Sequence, residues 1–441
     1  MGMKAVKFGG TSLCSAAQMK KAAEIVLADA DRRVVVVSAP GKRSPEDEKI
    51  TDLLYRCYEE PDDVKKACLF EKIRERFDGI ISDLGLSLDL SEEYEAIQNA
   101  GVKFGGRDYF VSRGEYLCAK IFAALLKYEF LDAADGIFFH EDGSFDGRKT
   151  RTVLSALLAQ REAVVIPGFY GRMPNDTIKT FPRGGSDITG AVAADAAGAY
   201  LYENFTDVSG FLLADPKIVD KPETVSIISY KELRRLSYMG ASVLHEDAVF
   251  PVRRSGIPIN IRNTDCPDDP GTMIVEKKKT GAGISGIAGK KGYSLIRVSK
   301  DRIGVDSAAV QSLLGIFERR QVAAYADARS VDSVGILVES RNIAGKKDYI
   351  LNEICQCLEP DTIGLSEELA LVCVVGEQMP PSVPAAVFCA LEELGERIRF
   401  IGFGADDIVL TVGIREQAFE RAVRKIYEKI GMQKIKKSAA P

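Results

Sequence analysis

The feature that most constrains the fold is an alternation of short apolar segments with amphipathic helical patterns through residues 1–280. Strand-like runs occur at 4–8, 33–37, 163–166, 200–205 and 257–261. Helical patterns lie between them, such as 16–27, 116–128 and 188–197. Strands that alternate with helices predict βα units around a mostly parallel sheet, sandwiched by helices on both faces.

The sequence changes character near residue 276, where the charged, glycine-rich stretch EKKKTGAGISG is typical of a domain boundary. Two similar stretches follow, each predicted as strand, helix, strand, strand, helix, and they repeat after roughly 75–80 residues. We therefore predict a first domain at 1–280 and two small α/β modules with antiparallel sheets at 291–366 and 367–434. A strand at 283–289 is expected to join the sheet of the second module.

Composition excludes several function classes. A net charge of -5 argues against nucleic acid or an anionic membrane as the main partner. No apolar run approaches the ~18 residues that span a bilayer, and the N-terminus lacks a signal-peptide core. The nine cysteines are scattered through apolar segments, which indicates reduced thiols and a cytoplasmic location. With only His140 and His245, chemistry that needs histidine bases or ligands is disfavoured.

The segment KFGGTS, residues 7–12, closes the first predicted strand. Paired glycines after a strand commonly form an ordinary turn. They also let backbone N–H groups approach a phosphate, and Lys7 would then add a positive charge for the transferred phosphoryl group. Both interpretations stay open from this segment alone.

The segment RGGSD, residues 183–187, stands directly before an Ala-rich helix predicted to start near Asp187. Ser186 or Asp187 is explained by helix N-capping alone. Arg183 followed by two glycines is not, because an arginine beside a glycine turn and a helix N-terminus suits a carboxylate or phosphate.

Three further segments carry polar groups at the ends of predicted elements. TDVSGFLLADPK starts at Thr206 after a strand, where open α/β sheets bind ligands, although a strand end with a Pro-containing loop explains it too. SRGE places Glu115 at a predicted helix start, where it could favour the helix dipole or hold an ammonium group. Thr51 likewise precedes a helix and is by default an N-cap.

Together these segments resemble aspartate kinase, an amino-acid kinase. The matching pieces are KFGGTS, VVVVSA with TDLL, SRGE, IPGFYG, RGGSD, TDVSGFLLADPK and MGASVLH, in the family's order across residues 4–264. The C-terminal part resembles the family's two ACT domains, which have a ferredoxin-like βαββαβ fold. The resemblance covers nearly the whole chain and implies a monofunctional enzyme without a fused homoserine dehydrogenase.

The resemblance implies transfer of a phosphoryl group from ATP to the β-carboxylate of L-aspartate, with Mg²⁺ carried largely by the phosphates. A carboxylate is already ionised at pH 7, so no general base is needed. By resemblance, Lys7 stabilises the transferred group and Asp187 orients Lys7. The aspartate site is expected at Thr51, Glu115, Arg183 and Ser186, with Glu115 at the ammonium group and Arg183 at the α-carboxylate. The ATP site is expected at Lys7, Gly9, Gly10, Thr11, Ser12, Thr206, Asp207, Asp215 and Lys217.

The paired ACT-like modules imply an amino-acid effector and a homodimer or homotetramer assembled through them. Lysine is the first expected effector and threonine the second, with Ser330 and Asp332 as candidate effector residues. Two alternatives stay open. One is another amino-acid kinase, acting on glutamate, acetylglutamate or a nucleotide, which the insert at 40–115 and the ACT modules disfavour. The other is a non-catalytic amino-acid sensor, which predicts losses at Lys7, Arg183 or Asp187, yet all three are present.

Overall fold

The computed structural model describes residues 2–100, 106–182, 184–240, 251–278, 283–403 and 408–438, without the side chains of 326–328 and 432–438. The chain divides into two compact units. The first comprises Met1–Phe211, Thr224–Lys231 and Ser242–Lys278, and the second comprises Leu212–Glu223, Glu232–Ala241 and Lys279–Pro441.

The strands of the first unit form an eight-stranded, mostly parallel sheet and a small hairpin. They are β1 (Lys4–Phe8), β2 (Arg32–Val37), β3 (Glu129–Phe130), β4 (Val164–Pro167), β5 (Tyr170–Arg172), β6 (Ile178–Thr180), β7 (Leu201–Thr206), β8 (Ile227–Ser229), β9 (Ile259–Asn263) and β10 (Thr272–Val275). The sheet order is β3-β4-β2-β1-β7-β9-β10-β8, and only the β9–β10 pair is antiparallel. The strands β5 and β6 form the separate hairpin.

Helices form most of the chain segments between these strands. They are α1 (Ala16–Leu27), α2 (Ile50–Glu59), α3 (Asp63–Leu84), α4 (Ser91–Asn99), α5 (Arg107–Leu126), α6 (Ala133–Gly136), α7 (Gly147–Ala159), α8 (Gly185–Ala197) and α9 (Tyr230–Tyr238). The alternation of side chains along a strand sends Val35 and Val37 into the hydrophobic core shared with α1–α5. The helix α8 packs against β1, β2 and β7. Both faces of the parallel sheet are thus covered by helices.

The second unit is a six-stranded antiparallel sheet with helices. Its strands are β11 (Gly286–Ser299), β12 (Ala324–Arg329), β13 (Ser333–Glu339), β14 (Thr362–Val375), β15 (Phe400–Phe403) and β16 (Val409–Arg415), in the order β12-β13-β11-β14-β16-β15. Its helices are α10 (Ser307–Arg319), α11 (Ser340–Ile343), α12 (Lys347–Leu358), α13 (Ser382–Glu393) and α14 (Phe419–Ser438). One hydrophobic core lies under α10 and α12, and a second lies under α13 and α14.

Two long strands join the two halves of this sheet. Residues 286–291 of β11 pair with 370–375 of β14, and residues 293–299 pair with 362–369. The sequence predicted a short strand at 283–289 that joins the sheet of the second module, and separate strands within each module. The predicted strands were too short. In the structure β11 and β14 each run through both halves of the sheet, and the local sequence pattern does not reveal this continuation.

The predicted fold class is confirmed: a mostly parallel sheet between helices is followed by antiparallel ferredoxin-like modules. Some predicted helix starts are wrong. The helix α5 begins at Arg107, nine residues before the predicted start at 116, so Glu115 lies inside it. The helix α8 begins at Gly185 with Gly184 as its N-cap, and α2 begins at Ile50 after Lys49, so neither Ser186, Asp187 nor Thr51 caps a helix. Among the described residues, no helix combines the length and apolar character needed to cross a bilayer.

Candidate active site

A cavity of about 390 Å³ opens in the first unit where the central parallel strands end. Backbone bonds bring the strand ends to one edge: the N–H of Gly9 donates to the carbonyl of Phe205 at 3.0 Å, and that of Ser38 donates to the carbonyl of Phe8 at 3.2 Å. The carboxyl edge of an open α/β sheet is where such folds bind ligands. The cavity is therefore the candidate active site.

Two loops meet at the cavity with no room for side chains. The N–H of Gly41 donates to the carbonyl of Gly10 at 2.8 Å. A Cβ atom on Gly10 would lie 2.8 Å from the carbonyl oxygen of Ala39, and one on Gly41 would lie 2.7 Å from the backbone of Gly10. Gly10 of KFGGTS is thus required because the backbone of the neighbouring loop approaches it closely, which the turn interpretation alone did not explain.

The ammonium group of Lys7 forms an ion pair with Asp187. Its Nζ lies 2.6 Å from Oδ1 of Asp187, and the two side chains are 8% and 19% exposed. The side-chain amide of Asn204 donates to the same oxygen at 2.9 Å. The cation at the end of β1 is therefore held by a carboxylate on α8, and that carboxylate is held in turn by β7.

The N-terminus of α8 faces the cavity with Gly184, Gly185, Ser186 and Asp187 in the lining. Gly184 has a φ of +79° and provides no side-chain cap for the helix. Free N–H groups and the helix dipole make such an end attractive to anions. Ser186 packs so closely on the preceding loop that a Cβ atom on Gly168 would lie 2.7 Å from its side chain. The arrangement offers an anion site beside Lys7.

Glu115 contributes a buried carboxyl group to the cavity lining. Glu115 lies on α5 and is 5% exposed. Burial raises the pKa of its carboxyl to about 8, although the backbone N–H groups of Ala39 and Glu115 and the charge of Arg113 oppose this rise. Its Oε2 atom has no hydrogen-bond partner within the described part of the chain. A buried oxygen without a partner in a cavity wall suits a cationic ligand group.

Most of the sequence-predicted site residues line this cavity. They are Lys7, Gly9, Gly10, Thr11, Thr51, Glu115, Ser186, Asp187, Thr206 and Asp207. Gly184 and Gly185 of the RGGSD segment also line the cavity, together with residues for which no role was predicted: Ser38, Ala39, Pro40, Gly41, Lys49 and Phe169. The apolar-to-polar change in VVVVSAPGK at the end of β2 could have indicated the loop from Ser38, whereas nothing in the sequence singles out Lys49.

The other predicted residues lie elsewhere. The hydroxyl of Ser12 is buried and lies 2.7 Å from the hydroxyl of Thr264, outside the cavity lining. Asp215 and Lys217 are exposed residues of the second unit, where the N–H of Lys217 donates to the carboxylate of Asp215 at 2.9 Å. Arg183 is outside the described residues.

Ser330 and Asp332 are exposed in the turn between β12 and β13 of the second unit. The hydroxyl of Ser330 lies 2.8 Å from that of Ser333. The carboxylate of Asp332 accepts a hydrogen bond from the N–H of Arg302 at 2.9 Å. Ser330 therefore has a partner in the turn, and Asp332 has one in the segment between β11 and α10.

Comparison with known proteins places this geometry in a family. Residues 2–263 match the family model described as the amino acid kinase family. Aspartokinase 3 of Bacillus subtilis is 34% identical over 447 residues, covering 97% of this chain and 98% of that protein.

Solved structures agree. The crystal structure of Clostridium acetobutylicum aspartate kinase superposes with a TM-score of 0.85 at 41% identity, covering 98% of this chain and all of that one. Escherichia coli aspartokinase III, solved with aspartate and ADP and also with lysine and aspartate, shares the fold at a TM-score of 0.72 and 24% identity, covering 97% of this chain and 99% of that one. The chain therefore belongs to the amino acid kinase family and, within it, to the aspartokinases, which are ATP-dependent kinases.

Proposed function

We propose that the enzyme transfers the γ-phosphoryl group of Mg-ATP to the β-carboxylate of L-aspartate, giving 4-phospho-L-aspartate and ADP. This would be the first step of lysine, threonine and methionine biosynthesis. The observation that carries the proposal is one cavity that holds both the carboxyl group of Glu115, whose Oε2 has no partner among the described residues, and the cation of Lys7 beside a helix N-terminus. Such a cavity suits a small amino acid with an ammonium group next to a phosphate.

The acceptor side is assigned to Glu115, Thr51, Ser186 and Arg183. The carboxylate of Glu115 would bind the ammonium group of aspartate, because its Oε2 is buried without a hydrogen-bond partner among the described residues. Thr51 and Ser186 belong to the same lining and carry hydroxyl groups that can bind a carboxylate. Arg183 would bind the α-carboxylate through its planar fork of donors.

The donor side is assigned to the phosphate loop at Gly9, Gly10 and Thr11. Backbone N–H groups in such a glycine turn can approach phosphate oxygens closely. Lys7 would stabilise the transferred group, with Asp187 orienting it. Thr206 and Asp207 lie in the lining at the end of β7, on the proposed nucleotide side. Ser12 would support the loop through its buried bond to Thr264, and Asp215 and Lys217 complete the assignment for the nucleotide.

The reaction needs little beyond positioning and charge stabilisation. The acceptor carboxylate is ionised at neutral pH and attacks the phosphorus atom directly, while the bond to the bridging oxygen of ADP breaks. No proton has to be removed. This chemistry fits a lining without histidine among the described residues.

Mg²⁺ would accompany ATP and neutralise charge on its phosphates. Oxygen donors are the ligands that this ion prefers, and the carboxylates of Asp187 and Asp207 are present in the lining. The described residues contain no group of three or more His, Cys, Asp or Glu side chains able to hold a metal ion by themselves. We propose that the nucleotide carries the ion mainly through its phosphates, with Asp187 and Asp207 as protein carboxylates of the same lining.

An assay of ADP release coupled to NADH oxidation tests the proposal. We expect ADP formation that depends on both L-aspartate and Mg²⁺, and no comparable rate with L-glutamate or acetylglutamate. Higher turnover with glutamate would support another amino-acid kinase activity. No ADP formation with either amino acid, in protein that is folded by circular dichroism, would support the sensor alternative.

We propose that the C-terminal domains, at 291–366 and 367–434 after a kinase domain at 1–280, regulate the enzyme as a homodimer or homotetramer. The E. coli structure with bound lysine supports lysine as effector, and threonine is the second candidate. Titration of each amino acid against activity, with light scattering for the oligomer, tests this. Ser330 and Asp332 remain candidate effector residues. The nine free cysteines support a reducing, cytoplasmic location.

A further inference from the structure

Asn204 lies opposite Lys7 in the parallel pairing of β1 with β7. It is 3% exposed. Residues paired in this way point to the same face of a sheet, here the face covered by α8. The two side chains converge on Asp187 in the first turn of α8, and no sequence motif had singled out Asn204.

Both donors bind one oxygen atom. Oδ1 of Asp187 lies 2.6 Å from Nζ of Lys7 and accepts from the amide of Asn204 at 2.9 Å. The amide is neutral, so it orients the carboxylate without competing for its charge. An ammonium group has three donors, so Lys7 can keep one bond to Asp187 while the others point toward a phosphate. The direction of those donors depends on where Asp187 holds the nitrogen.

The backbone of Asp187 is already fixed by the same strand. The hydroxyl of Tyr202 donates to the carbonyl of Asp187 at 3.3 Å. Tyr202 packs so closely on α8 that a Cβ atom on Gly190 would lie 2.2 Å from its hydroxyl oxygen. With the backbone fixed, the rotation of the carboxylate is the remaining freedom, and the amide of Asn204 restricts it.

We propose that Asn204 is a positioning residue for phosphoryl transfer: its amide fixes the carboxylate of Asp187, which aims the ammonium group of Lys7 into the cavity. The inference rests on the proposed function, in which Lys7 meets the phosphoryl oxygens. Asn204 lies outside the cavity lining, so it acts through Asp187 and touches no substrate.

The test is a double-mutant cycle of Asn204→Leu with Asp187→Ala, measured by kcat, by the KM for aspartate and by thermal unfolding. Asn204→Asp is the second variant, because it keeps the volume of the side chain and removes the donor. Thr150→Val is the matched control. Thr150 is fully buried in the same unit, its hydroxyl accepts from the N–H of Phe138 at 2.9 Å, and it lies outside the lining.

We expect Asn204→Leu to lower kcat about tenfold, the scale of one lost hydrogen bond to a charged group, with the KM for aspartate within about twofold of the parent. Asn204→Asp should lower kcat at least as much. In the Asp187→Ala background, Asn204→Leu should cause no further loss, because the group it acts through is gone. Thr150→Val should lower the unfolding midpoint and leave kcat unchanged.

A second readout needs no acceptor. Calorimetry gives the ratio of the affinities for Mg-ATP and Mg-ADP. Lys7 contributes to this ratio because only ATP carries the γ-phosphate that it is proposed to contact. Asn204→Leu should reduce that preference several-fold in the parent and not in the Asp187→Ala background. If the parent fails to phosphorylate aspartate, the proposed function falls, yet this ratio still decides the role of Asn204.

Two results would overturn the inference. One is a pair of single-variant losses that multiply in the double variant, since this places Asn204 outside the Asp187 pathway. The other is an Asn204→Leu protein that behaves like Thr150→Val, with a lower unfolding midpoint and unchanged kcat and nucleotide preference. Asn204 would then only fill buried space.

Discussion

Replacing Glu115 with glutamine should make the protein more stable and a poorer enzyme. Burial raises the pKa of Glu115 from 4.5 to about 8. In the unfolded chain the carboxyl loses its proton near its ordinary value. Between these two pH values folding must therefore take up a proton at Glu115, and the free energy of unfolding falls as the pH rises.

The magnitude follows from the same two values. Each tenfold change in proton affinity corresponds to about 1.4 kcal/mol, so a rise from 4.5 to about 8 corresponds to a loss on the order of 5 kcal/mol above pH 8. The carboxyl is almost completely buried, so solvent screens little of this effect. Glutamine takes up no proton. The stability advantage of Glu115→Gln over the parent should be small near pH 4.5 and reach several kcal/mol near pH 8.

The assay is urea unfolding of parent and Glu115→Gln at pH 5, 6.5 and 8. Other titrating groups are common to both proteins and cancel in the difference. A difference between the two proteins that does not change with pH would refute the burial argument, whatever its size.

The affinity for aspartate should rise with pH, whereas the free energy of unfolding falls. The ionised form of Glu115 would bind the ammonium group of aspartate, and only about a tenth of the carboxyl is ionised at pH 7 when its pKa is about 8. Aspartate affinity should therefore fall more than about tenfold from pH 8.5 to 6.5. In Glu115→Gln the affinity should be weaker and nearly independent of pH. Pronounced pH dependence in the glutamine variant would remove Glu115 from the ammonium site.

Three further predictions test other parts of the site and its frame. Lys7→Ala should lower kcat by at least about a thousandfold with an unchanged circular dichroism spectrum, because it removes the cation that stabilises the transferred group; a rate within tenfold of the parent would move that role to another residue. Gly10→Ala should lower kcat and raise the KM for ATP, since its Cβ would lie 2.8 Å from the carbonyl of Ala39; parent-like kinetics would show that the loop can shift freely. Glu203→Gln should destabilise the protein at pH 7 by a few kcal/mol, because this buried carboxylate binds two arginines; its lowered pKa means that the loss should shrink as the pH falls through that value, and a urea series to pH 3 checks it.

The parallel sheet was predictable because its strands are short, apolar and separated by helical patterns. Observed bounds differ from the predicted ones by at most two residues, as in Arg32–Val37 against 33–37 and Ile259–Asn263 against 257–261. The residues at which helices begin were predicted less well. The predicted start of α5 was nine residues too late. The segment SRGE looks like a helix start when the helical turns before it are not recognised.

The six-stranded sheet shows a second limit. Lys290 and Lys291 interrupt the apolar pattern, yet β11 continues through them, because β14 pairs with it along its length. Such pairing joins residues about 80 positions apart and leaves no local signal. The repeat of the pattern indicated two modules, and only the structure shows that they share one sheet.

At the site, residue type predicted more than position did. Lys7 and Asp187 were predicted as partners by resemblance, and the structure places their side chains 2.6 Å apart. Asn204 and Lys49 were missed, since a lone amide in a strand and a lysine before a helix are common on any chain. Their significance comes from what the fold brings beside them.

The most direct test of the central claim is trapping of the product with hydroxylamine, which converts an acyl phosphate into a stable hydroxamate. The parent enzyme with Mg-ATP and L-aspartate should form the β-hydroxamate of aspartate in step with ADP, identified by mass spectrometry against a standard. Lys7→Ala should form none above background. ADP release without any hydroxamate, or the α-hydroxamate in place of the β-isomer, would contradict the claim.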